Sequence, residues 1–237
     1  MRFHEKWFLD VPKKYAADSL STKNDAVRFW GLAADKIDVI YLASFVKPRN
    51  ARTKFGSNKI LIVSDIARRK NHVRLLEAFD MIQQECPNTE LVVVGSVIEP
   101  VPGFESLIAE MQAKNSDIKI TRCHHLSDRD IVSLYNEADV LVYPSLYEGF
   151  GLPVLEAMAC GCPVITSNVS SLPEVAGDAA ILVDPQNPNA IARAIITVLK
   201  DDTLKRELSE RGVEQAKKFS WEETAQAFLE MFDRYKS

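Results

Sequence analysis

From Lys59 onward, short runs of β-branched residues alternate with stretches whose apolar side chains recur at helical spacing, the signature of parallel strands joined by helices. The first strand reads Lys59-Ile-Leu-Ile-Val63. Asn71 is then placed to cap a helix with Leu75, Leu76, Phe79 and Ile82 on one face. Thr89 to Gly95 is apolar enough to be buried on both sides, as parallel strands are. A second amphipathic stretch carries Phe104, Leu107, Ile108 and Met111 and leads into a strand from Ile118 to Thr121. Ser127, with Asp130 in the first turn, opens a helix whose stripe is Ile131, Leu134 and Tyr135, and the strand Asp139 to Tyr143 follows. After another helix come the strands Pro163 to Thr166 and Ala180 to Val183. Six strands with intervening helices predict an α/β protein with a doubly wound, Rossmann-like parallel sheet, and such sheets bind ligands at the carboxyl ends of their strands.

Beyond Asp184 the pattern is helical throughout, and Ser220-Trp-Glu-Glu223 has the form of a capping box. It opens a last amphipathic helix through Phe228, Met231, Phe232 and Tyr235. Residues 1–46 follow a different pattern. Ser21 or Thr22 could cap a short helix closed by Gly31, and Lys36 to Tyr41 fits a strand, but Met1 to Ser21 has no clear period. Pro48 to Ser57 is basic and poor in apolar residues, like a linker. The division expected is therefore 1–46, a linker at 47–58, a Rossmann-like domain at 59–219 and a terminal helix at 220–237.

Composition narrows the function classes. With 46% hydrophobic and 26% charged residues, the 237-residue chain has material for one sizeable core. A net charge of -4 carries no basic footprint for nucleic acid. No apolar run approaches the ~20 residues of a membrane span, and the first residues lack a signal-peptide core, so the expected location is cytoplasmic. Cys86, Cys123, Cys160 and Cys162 are too few for a disulfide framework in such a chain and read as buried apolar residues.

The chemistry concentrates in Pro144-Ser-Leu-Tyr-Glu148-Gly-Phe-Gly151-Leu-Pro153-Val-Leu-Glu156-Ala-Met-Ala-Cys-Gly161, which runs from a strand end through a glycine-containing loop into a helix. Pro153 suits the first helical turn and Gly161 the left-handed position after the last one. An exposed helix start with free N–H groups attracts anions, and Gly149 and Gly151 let a phosphate or sugar approach the backbone. Glu148 in the loop and Glu156 one turn into the helix could accept hydrogen bonds from sugar hydroxyls. On spacing alone, a plain strand-to-helix turn with a dipole-favoured acid fits equally well. Asp128-Arg-Asp130 resembles a metal-binding Asp-x-Asp but falls in a predicted first helical turn. Cys123-His-His125 and Cys160-Gly-Cys162 lack the paired spacing of a zinc site. No Gly-x-Gly-x-x-Gly follows the first strand, which argues against a dinucleotide oxidoreductase.

The wording of this segment closely resembles the signature of the GT-B glycosyltransferases of family 4, with two glutamates separated by seven residues around Gly-Phe-Gly-Leu-Pro. The likeness continues through Cys162-Pro-Val-Ile-Thr-Ser167, Ser171-Leu-Pro-Glu-Val-Ala-Gly177 and Leu182-Val-Asp-Pro185. By resemblance, Glu148 contacts the donor sugar, Gly149, Phe150 and Gly151 present backbone amides, with Leu152 beside them, and Glu156 holds the ribose. Lys70 matches the lysine that neutralises the donor diphosphate, and Lys70 and Glu148 are the residues implied for catalysis. Where the family commonly has an arginine after the first strand this chain has Asp65, so Arg68 or Arg69 would have to supply that charge. His124 and His125 stand where members often have glycine and could line the nucleotide pocket.

The resemblance further implies retaining transfer from a UDP-, GDP- or ADP-linked sugar without a metal or other cofactor. It maps the chain to the carboxyl-terminal, donor-binding half of a GT-B fold, with Tyr15 to Ser44 similar to the last amino-terminal elements and the crossover. An acceptor domain would then come from elsewhere, leaving apolar surface near Trp7, Phe8 and Trp30 for a partner or a second copy. Such a partner could also bring the chain to the inner membrane. A binding module without turnover, or a remnant of a transferase, are the alternatives.

Overall fold

In the computed structural model, residues 14–234 are described. A small two-stranded parallel sheet comes first, β1 (Tyr15–Ala17) beside β2 (Ile37–Val39), with α1 (Leu20–Trp30) between them. The main sheet comprises β3 (Lys59–Val63), β4 (Glu90–Val94), β5 (Lys119–Cys123), β6 (Val140–Tyr143), β7 (Val164–Ser167) and β8 (Ile181–Val183). Its spatial order is β5-β4-β3-β6-β7-β8, with every pair parallel. The doubly wound α/β architecture expected from the strand pattern is the one observed.

Alternation within the strands builds the two halves of the core. Ile60 and Ile62 face one side, where α2 (His72–Ile82), α3 (Phe104–Lys114) and α7 (Pro188–Lys200) add Leu75, Phe79, Met111, Ile191 and Ile195. Leu61 faces the other, where α4 (Asp128–Glu137), α5 (Leu152–Ala159) and α6 (Leu172–Ala176) add Tyr135, Val154, Leu155, Met158 and Leu172. Two more helices, α8 (Asp202–Ala216) and α9 (Trp221–Arg234), follow α7. The chain runs outward in one direction from β3 to β5 and then returns to place β6 against β3, so the switch point lies between β3 and β6. Their carboxyl ends mark where a ligand cleft forms.

Several local expectations are corrected. Ser19, not Ser21 or Thr22, caps α1: it is extended at φ -154°, ψ 162°, and its side chain accepts from Thr22 N. Gly31 closes that helix at φ 68°, as expected. Asn71 stands before α2 in the left-handed region and makes no side-chain cap. Its Nδ2 instead donates to the carbonyls of Pro144 and Pro185 at 2.9 and 2.7 Å, pinning two loops of the sheet's carboxyl end. The stretch 47–58 has no helix or strand but is tied down. Gly56 N and Asn58 N donate to the two oxygens of buried Asp139, and Arg52 N donates to Ser209 Oγ at 2.8 Å. Ser220 Oγ accepts from Glu223 N at 3.1 Å. In α9 Met231 is buried, whereas Phe232 is 58% exposed. Trp7, Phe8 and Tyr235 lie outside the described residues; Trp30 and Phe29 are exposed.

Candidate functional site

The site grows from the two strands at the switch point. After β3 the chain makes a short 3-10 turn, Arg68–Lys70, which directs Lys70 inward and Arg69 toward the end of β6. β6 ends on Tyr143, and the loop beyond it turns the Glu148 carboxylate back toward that strand end. One carboxylate oxygen, Oε1, accepts from Lys70 Nζ at 2.6 Å and from Tyr143 OH at 3.0 Å. The other, Oε2, accepts from Arg69 Nη1 at 2.9 Å. Lys70 Nζ also donates to Tyr143 OH at 2.6 Å, closing a triangle of lysine, tyrosine and glutamate. All three are buried, so these charge-assisted bonds are far stronger than they would be in water. Burial is the main influence on Lys70 and lowers its pKa, with the charge of Glu148 opposing. Burial also raises the Tyr143 hydroxyl well above its ordinary value, reinforced by Glu148.

The loop and the helix after it are shaped for backbone recognition. Gly151 precedes α5 at φ 114°, and a Cβ there would meet Leu172 Cδ2 at 2.8 Å. Leu152 and Pro153 form the first turn of α5. Glu148 N donates to Ser170 Oγ at 3.1 Å, and Ser171 Oγ bridges the carbonyls of Glu148 and Phe150 at 3.0 and 2.7 Å. The Phe150 ring packs inward against Tyr41 and Phe219, so only its backbone is available to a ligand.

Glu156 forms a separate station on α5. Its Oε2 accepts from Tyr135 OH at 2.9 Å, and no hydrogen bond joins it to the Glu148 cluster among the described residues. Burial raises its pKa, partly opposed by the Tyr135 bond. The structure thus brings Arg69, Lys70 and Glu148 together, sets Gly149 to Leu152 beside them, and holds Glu156 apart on its own tyrosine.

Other candidates sort themselves by contact. Arg68 is engaged elsewhere: its N–H donates to Glu99 and its Nε to the Pro100 carbonyl, so Arg69 is the arginine at the cluster. Asp65 accepts from Ser96 N at 3.4 Å and is the weakest of the influences on Lys70. His124 Nδ1 lies 2.7 Å from the Gly95 carbonyl, and His125 adopts φ 54°, the left-handed region that glycine occupies freely. Asp128 and Asp130 lie in the first turn of α4, where Asp130 completes a capping box with Ser127. The thiols of Cys160 and Cys162 are buried, which pushes them up to about 11 and about 12. Among the described residues no group of three His, Cys, Asp or Glu side chains is gathered to hold a metal. No helix there is long and apolar enough to cross a membrane.

Tyr143 and Tyr135 escape the sequence reading, because a tyrosine on an apolar face looks like core. The signal was available in principle: a buried tyrosine hydroxyl must find a partner, and each of these finds a motif glutamate.

With Lys70 and Arg69 gathered at the switch point beside a glycine loop and a helix start, this parallel sheet has the elements with which such folds hold phosphorylated ligands. Residues 46–219 match the family model "Glycosyl transferases group 1", and the chain belongs to that family. Over 98 residues, 41% of this chain, it is 53% identical to the O-antigen chain mannosyltransferase B of Escherichia coli, covering 26% of that protein. It is 30% identical over 92% of its length to the E. coli serotype-specific mannosyltransferase WbdA, covering 28% of it. The MMP alpha-(1->4)-mannosyltransferase of Mycolicibacterium hassiacum is 32% identical over 94% of this chain, which covers 54% of that relative. The chain thus spans only about a quarter of the E. coli relatives. Among solved structures, sucrose-phosphate synthase from Thermosynechococcus elongatus superposes with a TM-score of 0.80 at 28% identity, covering 97% of this chain and 60% of that one. Anabaena HepE, solved with UDP and glucose, has a TM-score of 0.77 at 18% identity, covering 97% and 67%, and shares the fold.

Proposed function

We propose that this chain is the carboxyl-terminal, donor-binding part of a retaining GT-B glycosyltransferase of family 4, acting on a nucleoside-diphosphate-linked sugar, with mannose the best-supported glycosyl group. The observation that carries this is the buried Lys70–Glu148–Tyr143 triangle with Arg69, set beside a glycine loop at the sheet's switch point. The mannosyltransferases among its relatives support the sugar. The acceptor surface belongs to other polypeptide, either a longer chain or a second subunit, and the exposed Phe29 and Trp30 are available to it. The chemistry expected takes place in the cytoplasm.

In this scheme the diphosphate lies against Lys70, Arg69 and the loop amides, the sugar reaches Glu148, and the ribose reaches Glu156. The acceptor hydroxyl attacks the anomeric carbon on the face from which the diphosphate departs, and a leaving phosphate oxygen takes the proton. In this scheme Lys70, once it shares its bonds to Glu148 with the donor, and the amides before α5 stabilise the charge that develops on the departing diphosphate. No metal is assigned a part.

Calorimetric titration of the chain with UDP, GDP and ADP tests the donor site and needs no acceptor. We expect one nucleotide to bind, and a Lys70→Ala, Glu156→Ala double variant to lose it. Absence of binding at millimolar concentration for all three would overturn the assignment.

A further inference from the structure

The loop amides that the donor would use are unpaired for a reason that lies partly outside the matched region. Among the described residues, the N–H groups of Gly149, Phe150 and Gly151 have no protein acceptor, while the carbonyls of Glu148, Gly149 and Phe150 are all engaged by hydroxyls. In a planar trans peptide the C=O of one residue and the N–H of the next point in opposite directions. Fixing each carbonyl therefore fixes the direction of the N–H that follows it, pointing it away from the hydroxyl that holds the carbonyl. Ser171 fixes the first and third carbonyls. The middle one, of Gly149, accepts from Ser19 Oγ at 2.6 Å and from Thr22 Oγ1 at 3.2 Å.

Ser19 and Thr22 open α1, well before residue 46, where the family match begins. Their grip on the loop is reinforced. Glu174 on α6 accepts from the N–H groups of Leu20 and Ser21 at 2.9 and 3.1 Å, complementing the positive end of α1. Tyr147 OH donates to Asp25 Oδ2 at 2.9 Å from the loop side. Gly149 lies so close under the entry to α1 that a Cβ would meet Asp18 Oδ2 at 3.0 Å.

We propose that Ser19, seconded by Thr22, is a positioning residue of the donor site: its hydroxyl holds the Gly149–Phe150 peptide so that the Phe150 N–H faces the bound diphosphate. The assignment rests on the donor-site reading above. The segment before residue 46 is then part of the site, and the matched region alone has one of its three loop amides unanchored.

The test is calorimetry on the full chain with UDP, GDP and ADP and with the matching monophosphates UMP, GMP and AMP. Ser19→Gly, Thr22→Val removes both hydroxyls while keeping a residue tolerated at helix N-caps, and thermal unfolding checks that the fold survives. Affinity for the diphosphate that binds the unaltered chain should fall roughly tenfold, the worth of one charge-assisted hydrogen bond. The matching monophosphate, lacking the terminal phosphate, should bind as before. Thr22→Val alone should have a smaller effect than Ser19→Gly alone, following the two distances. Unchanged diphosphate affinity, or an equal loss for both ligands, would overturn the role of Ser19. An unaltered chain that binds no nucleotide would instead overturn the donor site itself.

Discussion

Glu148 occupies, in the free protein, both cations that a diphosphate would need. Lys70 and Arg69 each spend a donor on its carboxylate, so a bound donor must share or displace those bonds. The arrangement also makes Lys70 structural. Removing Lys70 leaves the buried Glu148 carboxylate with only the half-exposed Arg69 as a cationic partner, which strands much of its charge. Lys70→Met should therefore destabilise the fold by about 3 kcal/mol in urea unfolding. Adding Glu148→Gln should recover part of that loss, because the stranded charge is gone, and a strictly additive double variant would refute the coupling. At this scale the sequence was informative where wording was specific: the glutamates and glycines of the 144–161 segment stand where the resemblance puts them relative to strand, loop and helix. It was silent where three-dimensional turns decide. Arg68 and Arg69 are neighbours in sequence, and only the 3-10 turn sends the Arg69 side chain to Glu148 and that of Arg68 to the Pro100 carbonyl.

The elements of the sheet were legible because a buried parallel strand leaves few choices of residue. Leu91 to Val94 and Val140 to Tyr143 are buried almost throughout, and their runs of Val and Leu announce it. The stretch 47–58 was not legible, because its order comes from side chains distant in sequence and not from any period of its own. Asp139, just before β6, is fully buried and receives Gly56 N at 2.7 Å and Asn58 N at 2.6 Å. Asp139→Ala should loosen this stretch, costing about 2 kcal/mol for the two charge-assisted bonds. Asp139→Asn, which keeps a single acceptor oxygen, should cost less. Limited proteolysis provides the local readout, with cleavage within 47–58 accelerating in the alanine variant, and an unchanged cleavage pattern would argue against the tether. The same reasoning explains why Ser19 caps α1 in place of the Ser21 or Thr22 that the sequence offered. Its start is set by Ser19 reaching the Gly149 carbonyl, a contact across 130 positions.

For the molecule as a whole, acid stability should depend on one buried ring. His72 begins α2 with 1% of its surface exposed, its Nε2 3.3 Å from Ser64 Oγ and its Nδ1 without a partner among the described residues. Burial lowers its pKa to about 4, with the charges of Lys70 and Arg122 acting in the same direction. The unfolded chain protonates the same ring near the ordinary value of about 6.5. Between those two values the unfolded state binds more protons than the folded one, so stability declines as pH falls through that window. At pH 5 the cost relative to pH 7 is about 2 kcal/mol. Carboxylates held below their ordinary range, such as Asp130, Glu137 and Asp202, lose their contribution only at lower pH. Glu156 acts with the opposite sign, since its raised pKa means that acidification relieves a buried charge. The His72 contribution is therefore isolated by comparing the unaltered chain with His72→Leu. That change removes the bond to Ser64 at every pH, an offset that does not vary across the window. Urea midpoints measured at pH 7 and pH 5 should drop less in the variant than in the unaltered chain. Equal drops would show that the ring takes up its proton in the fold as readily as outside it.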